Sequence, residues 1–261
     1  KGSEVQVEES NEGLRVLAAS VESNKEITII VTEENKKDLQ NIITHAYRKG
    51  FQIIIIKSTS KEVIREIQQI TDKMLFGFEI TNRLDNECVI ENVSEPSNKK
   101  YSELLKRILS LIKETHKSIS EDIKSSNYES SLEVQAMREH LDKLILFCKR
   151  VLPTSTEDVV LNWELLTFLM HIEHKYHYLY EYTRVKKFKA DKEILELFEN
   201  LKSYYYLLEN AIINNSMESI HKINILKKEY HFGKIIQKLE KSTGKKAVIL
   251  SNINELFRLV Q

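Results

Sequence analysis

The residues best suited to chemistry stand within seven positions, His171-Ile172-Glu173-His174-Lys175-Tyr176-His177. A carboxylate and an imidazole four apart, as Glu173 and His177 are, share one face of a helix. Imidazole with carboxylate is an ordinary ligand pair for zinc and related ions. On a helical wheel at about 100° per residue, the apolar side is set by Leu161, Leu165, Leu169, Ile172, Tyr176 and Leu179. Glu173, His174 and His177 then fall at the rim of that stripe, within reach of a neighbouring helix. The same residues also make a solvated, histidine-rich face on an ordinary bundle helix, and the spacing leaves both readings open. No His-Glu-x-x-His signature of a zinc hydrolase occurs.

A second group is Arg138-Glu139-His140-Leu141-Asp142. Glu139 and Asp142 are three apart and share a flank, where paired carboxylates can ligate a metal or do acid/base work. With Arg138, Lys143 and Arg150 close by, they also read as surface ion pairs. Nothing else suggests catalysis. Gly50 and Gly77 are isolated, so no glycine-rich loop cradles a phosphate. No serine or cysteine sits in a nucleophile motif. The run Lys186-Lys187-Lys189-Lys192 reads as a solvated corner. Tyr204-Tyr205-Tyr206 lies on a helix whose core residues are Leu197, Leu201, Leu208 and Ile212. Some of those rings must face outward or meet another chain. The expectation is a protein that is not an enzyme.

The elements that must position these residues change character along the chain. Glu4 to Val7 and Leu14 to Leu17 alternate like the strands of one hairpin, with a turn at Asn11-Glu12-Gly13. Ile27 to Val31 and Phe51 to Ile56 read as buried strands. A helix between them carries Leu39, Ile42, Ile43, Ala46 and Tyr47, closed by Arg48, Lys49 and Gly50. A helix capped by Ser60 follows. Then come extended pieces at Phe78–Ile80 and Glu87–Ile90, joined by a loop over Asn82–Asn86. This order gives a small α/β domain over 25–95 with a parallel crossover.

Beyond Pro96 the pattern is helical to the end. The spacing predicts helices over about 98–125, 126–152, 154–188, 191–213, 216–241 and a short one ending at Gln261. Capping boxes are expected at Ser126/Glu129 and Thr154/Glu157, and a stop at Pro153. The fold class is therefore α+β. A small α/β domain precedes a mainly α domain of two three-helix bundles in series, about 98–188 and 190–261.

Composition agrees with long helices. The 261 residues contain only six glycines and two prolines, 41% are hydrophobic and 30% charged. Lysine plus arginine and aspartate plus glutamate both number 39. Zero net charge argues against a broad nucleic-acid-binding face. Cys88 and Cys148 are far apart and read as reduced thiols of a cytoplasmic protein. No apolar run approaches the length of a membrane span, so no membrane insertion is expected.

The stretch Arg138-Glu139-His140-Leu141-Asp142-Lys143-Leu144-Ile145-Leu146-Phe147-Cys148-Lys149-Arg150-Val151-Leu152 resembles the second helix of archaeal PhoU-type proteins. Ile42 to Ile54 and Leu75 to Ile80 resemble the segment preceding the helices in regulators that fuse an AbrB-like DNA-binding hairpin to PhoU helices. Lys1-Gly2-Ser3-Glu4-Val5 resembles the start of the last hairpin of an AbrB-like domain. The resemblance implies two repeated three-helix bundles and a regulator of phosphate uptake that contacts the phosphate transporter or a signalling protein. It also implies a homodimer. Residues 1–24 would be the remnant of an AbrB-like hairpin, with DNA bound only through a segment before Lys1.

The family holds zinc, iron or similar ions on a Glu/Asp-x-x-x-Asp motif in the third helix of each repeat. Carried onto this sequence, that motif falls on Glu173 and His177, and on Ser251 and Glu255. One carboxylate is replaced each time, which weakens a site for a hard or borderline cation. The implied metal set for Zn, Fe or Ni is Glu173 and His177, with Glu139, Asp142 and His174 near them and Glu255 in the second repeat. Two alternatives stand beside the phosphate regulator. One is a metal-binding sensor bundle, and the other is an AbrB-type transcription factor whose DNA-binding end lies before Lys1.

Overall fold

The computed structural model describes residues 5–10, 13–18, 25–58, 60–84, 86–94, 101–155 and 158–260, with backbone alone for 5–18 and 154–155. It divides into two compact units, one of residues 1–71 and 77–95 and the other of 72–76 and 96–261.

In the first unit, β1 (Val5–Ser10) and β2 (Gly13–Ala18) pair antiparallel as a two-stranded ribbon. A separate four-stranded sheet has the order β3-β4-β6-β5, with β3 (Glu26–Ile30), β4 (Ile53–Lys57), β5 (Phe78–Leu84) and β6 (Glu87–Asn92). β3 and β4 are parallel, joined through α1 (Leu39–Arg48), and the other pairs are antiparallel. Gly50 takes a φ of +82° after α1, the left-handed position a helix end favours. α2 (Lys61–Met74) follows β4.

The strands differ from the fully buried ones the sequence suggests. In β3 only Ile29 is buried, and β4 buries Ile54 and Ile56 while its alternate isoleucines are half-buried. A continuous run of isoleucines hides this alternation, because both faces carry the same residue type. The buried face closes over Ile43, Tyr47, Val63 and Ile67, with Tyr47 edge-on to Phe78 at 5.0 Å between ring centroids.

The second unit is helical: α3 (Tyr101–Ser125), α4 (Ser131–Ser155), α5 (Val159–Val185), α6 (Lys192–Asn214), α7 (Met217–Glu229), α8 (Ile235–Glu240) and α9 (Gly244–Leu259). α3, α4 and α5 pack on one another, as do α6, the α7–α8 pair and α9. α3 packs on α6 and α5 on α9, so one apolar core runs through all seven. Buried α3 positions 105, 108, 112, 115, 119 and 122 and α5 positions 166, 169, 173, 176, 180 and 183 alternate by three and four. That is the seam spacing of coiled helices. It puts Thr115, Asp122, Glu173 and Thr183 in the core.

Two helix signals behave differently from expectation. Ser126 has a left-handed φ of 57° just past the end of α3, and α4 begins only at Ser131. Ser126 therefore does not cap α4. Instead Asp122 accepts hydrogen bonds from the Ser130 backbone N–H (3.0 Å) and Oγ (3.1 Å) at the start of that helix. Pro153 does not stop α4, which runs on to Ser155. The Thr154/Glu157 box lies outside the described side chains.

The fifth expected helix is continuous but not regular. A π segment, Tyr230–Lys234, separates α7 from α8. Gly233 sits in it, where a Cβ would come 3.2 Å from the Lys228 carbonyl oxygen. The extra residue turns the helix. Lys228 and Ile235 are seven apart and would share a face of a regular α-helix, yet Lys228 is exposed and Ile235 fully buried. Among the described residues no helix is long and apolar enough to cross a membrane.

Candidate functional site

The seam between α3 and α5 carries a ladder of polar pairs inside the apolar core. Thr115 Oγ1 donates to Glu173 Oε1 at 2.8 Å. One turn on, His116 Nδ1 lies 3.0 Å from the Tyr176 hydroxyl, and Ser120 Oγ lies 3.2 Å from His116 Nε2. Further along, the Tyr180 hydroxyl donates to Asp122 Oδ2 at 2.6 Å. The Thr115–Glu173 and Asp122–Tyr180 rungs fall on seam positions of both helices, two turns apart, and His116 stands beside the seam.

Glu173 has no exposed surface, and its Oε2 has no hydrogen-bond partner. Burial raises its pKa to about 8 against the lowering effect of the Thr115 hydrogen bond. The group is therefore a neutral acid at pH 7. This corrects the sequence expectation that placed Glu173 at the rim of the apolar stripe. The stripe itself is turned, since Leu161 is 65% exposed while Leu166 is fully buried.

The facing helix supplies the complement. Arg138 Nε is also buried without a hydrogen-bond partner. It lies 3.9 Å from Asp142 Oδ2, too far for a hydrogen bond. Its Nη1 stands 3.5 Å from His177 Nδ1, and its guanidinium lies 6.0 Å from the centre of the Tyr178 ring. Partial burial, then the Arg138 charge, lower the pKa of His177. His174 Nε2 meets Asp142 Oδ1 at 2.8 Å.

The structure thus brings Asp142, His174 and His177 together between α4 and α5, while Glu173 faces Thr115 of α3. Glu139 points away and accepts a hydrogen bond from Gln135 at 3.1 Å, which lowers its pKa. Glu255 forms a two-pronged ion pair with Arg258 at 2.6 and 2.9 Å on the same helix, and Ser251 is exposed. Among the described residues no three of His, Cys, Asp and Glu stand close enough to hold a metal ion.

Sequence reasoning missed His116, Asp122 and the orphaned Arg138 nitrogen. Polar residues at seam positions 115, 122 and 173 were the signal that could have found the ladder. His116 opens onto a cleft of about 420 Å³ between α3 and α6, edged by Lys113, Lys117 and Lys202. The Ser120–His116–Tyr176 chain has the connectivity of a nucleophile, base and orienting group. Burial, with the Lys202 charge, lowers the pKa of His116 to about 4, so its imidazole is a poor base at neutral pH. The chain works better as a satisfied core network than as a hydrolytic site.

Cys88 and Cys148 are buried free thiols, and burial raises the pKa of both. Neither is poised for attack. Compared with known proteins, the chain matches no family model, no curated protein and no solved structure.

Proposed function

We propose that the chain is a non-enzymatic cytoplasmic regulator of phosphate uptake, of the PhoU kind, acting through protein partners bound on its helix faces. The observation that carries this reading is the grouping of the helices. α3, α4 and α5 form one set of three, and α6, the α7–α8 pair and α9 form another, with third helices α5 and α9 packed together. The resemblance read from the sequence implies that arrangement. The chemistry of these groups supports a structural role: in the seam Glu173 is neutral and buried and Asp122 accepts from three donors, and on α9 Glu255 is paired with Arg258.

The test is phosphate accumulation in cells that make this protein. Removing its gene should raise uptake of labelled phosphate several-fold in phosphate-rich medium, and restoring the chain should lower it again. Uptake that stays the same with and without the chain overturns the proposal.

A further inference from the structure

The four-stranded sheet has one face closed by α1 and α2, and its register defines the other face row by row. Glu26, Ile53, Glu91 and Glu79 stand side by side across β3, β4, β6 and β5. Two residues along the strands, Ile55 and Val89 stand between Thr28 and Asn82. In the third row Lys57 and Glu87 stand between Ile30 and Leu84. The register shift between Ile80 and Asn82 is what turns Leu84 to this side. The alternate positions point the other way and include the buried Ile54, Ile56, Cys88 and Ile90. The outer face is open. Ile30 is 65% and Leu84 56% exposed, and Ile53, Ile55 and Val89 of the two central strands are only half-buried.

A sheet face that stays in water normally turns polar residues outward. Here five apolar residues lie open among four carboxylates, Glu26, Glu79, Glu87 and Glu91. The single lysine of the face, Lys57, stands 4.0 Å from Glu87. Glu79 and Glu91 are direct cross-strand partners, and like charges in that position destabilise a sheet. A cation laid over the pair relieves that cost. Apolar and acidic residues alternate on the same face, so one occupant meets both.

We infer that this face docks a basic amphipathic helix of a partner protein, with its apolar side on Ile53, Ile55, Val89 and Leu84 and its lysines or arginines over Glu26, Glu79 and Glu91. A helix laid on a sheet is a common layer pairing, and α1 and α2 already use it on the opposite face. At the spacings of a sheet the twelve positions cover about 14 Å in each direction. That is room for two or three turns of one helix about 10 Å across. A second copy packed about a two-fold axis would set acid against acid. The chain's own first 24 residues have the wrong sign, with five glutamates against Lys1 and Arg15. Nucleic acid and anionic lipid are repelled by the same carboxylates. The inference does not rest on the phosphate role.

Titration of the full 261-residue chain with two synthetic peptides tests it. Each peptide has about 18 residues with leucine at helical spacing; one carries lysine at the other positions and one carries glutamate. By fluorescence anisotropy the lysine peptide should bind at least about tenfold more tightly than the glutamate peptide, and high salt should weaken it. Amide chemical-shift changes should centre on β4 and β6. Changing Ile30→Ser and Leu84→Ser together should cut affinity at least about tenfold. Glu79→Lys should do the same without lowering the thermal melt, because the new lysine faces Glu91 in place of a like charge. If the double serine variant fails to fold, Glu79→Lys alone gives the same readout. The inference is overturned by no binding of the lysine peptide, by equal binding of the glutamate peptide, by affinity indifferent to Glu79, or by shifts confined to other elements. It is also overturned by cross-links that place residues 1–24 or a second copy on this face, or by duplex DNA binding there.

Discussion

A carboxyl group whose pKa burial has raised from 4.5 to about 8 keeps its proton in the folded chain at pH 7, whereas in the unfolded chain it ionises. Between those two values the folded state binds the extra proton. Stability contributed by Glu173 therefore falls as pH rises from about 4.5 and levels off above about 8. At pH 7 the loss is roughly 3 kcal/mol. Glu173→Gln keeps the shape without the titration, so wild type and variant should have similar denaturant midpoints at pH 5. By pH 8 the variant should be the more stable; parallel profiles would refute a neutral Glu173. His116 acts with the opposite sign. Its pKa is lowered to about 4 from 6.5, so the unfolded chain takes up the proton first as acid is added. Stability from that group is present above about 6.5 and is lost toward pH 4. The imidazole resonances of His116 in an NMR titration should move near pH 4, and a midpoint near 6.5 would contradict its burial. Sequence reasoning picked out Glu173 but misjudged its depth. The inward stripe of a bundle helix follows a period of about 3.5 residues. A wheel at 3.6 residues that includes Leu161, twelve positions upstream, rotates the stripe enough to move Glu173 from seam to rim. His116 carries no such spacing signal, since its partner Tyr176 is sixty residues away.

Helix ends decide how the elements meet, and here one carboxylate serves three of them. Asp122 belongs to the last turn of α3, accepts two hydrogen bonds from Ser130 at the start of α4, and accepts one from Tyr180 of α5. Asp122→Ala would leave the start of α4 uncapped and the buried Tyr180 hydroxyl without its acceptor. The expected cost is about 3–4 kcal/mol, combining a lost cap with an orphaned polar group. Denaturant unfolding should show a fall of that size, and a loss under about 1 kcal/mol would mean the three contacts are not coupled. The sequence placed the α3–α4 break within a few residues but assigned the cap to Ser126/Glu129. Capping-box spacing sees only local partners, and Asp122 reaches across from the preceding helix. The starts of α6 and α7 were legible, and there the caps are local: Asp191 Oδ1 accepts from the Ile194 N–H at 3.0 Å, and Ser216 Oγ from that of Ser219 at 3.2 Å. The π segment was not legible, because a single inserted residue leaves composition and mean spacing unchanged while turning the following helix.

Across the helical unit the two sets of three helices are not separate bodies. Their buried side chains form one contiguous core, in which α3 meets α6 and α5 meets α9. Tyr205 of α6 is nearly fully buried and donates its hydroxyl to the Leu109 carbonyl of α3 at 3.2 Å, and Lys113 of α3 pairs with Glu209 of α6 at 2.7 Å. Phe257 of α9 stacks on Tyr230 and lies against Tyr204. A sequence reading that divides the helices near residue 189 sees loop positions and repeat lengths. It has no access to the faces α3 and α5 turn toward the second set, because each helix looks amphipathic on its own. Cutting the chain after Phe188 would uncover the apolar sides of α3 and α5 along much of their length. Burying apolar surface is the main stabilising contribution in such a bundle, and the uncovered strip removes a large share of it. The truncated chain should therefore bind a hydrophobic dye and lose a cooperative thermal transition, while the full chain melts its helical unit in one step. A truncated chain that melts cooperatively within a few degrees of the full one would show that α3–α4–α5 is an independent domain, and the shared core would then be an interface between two.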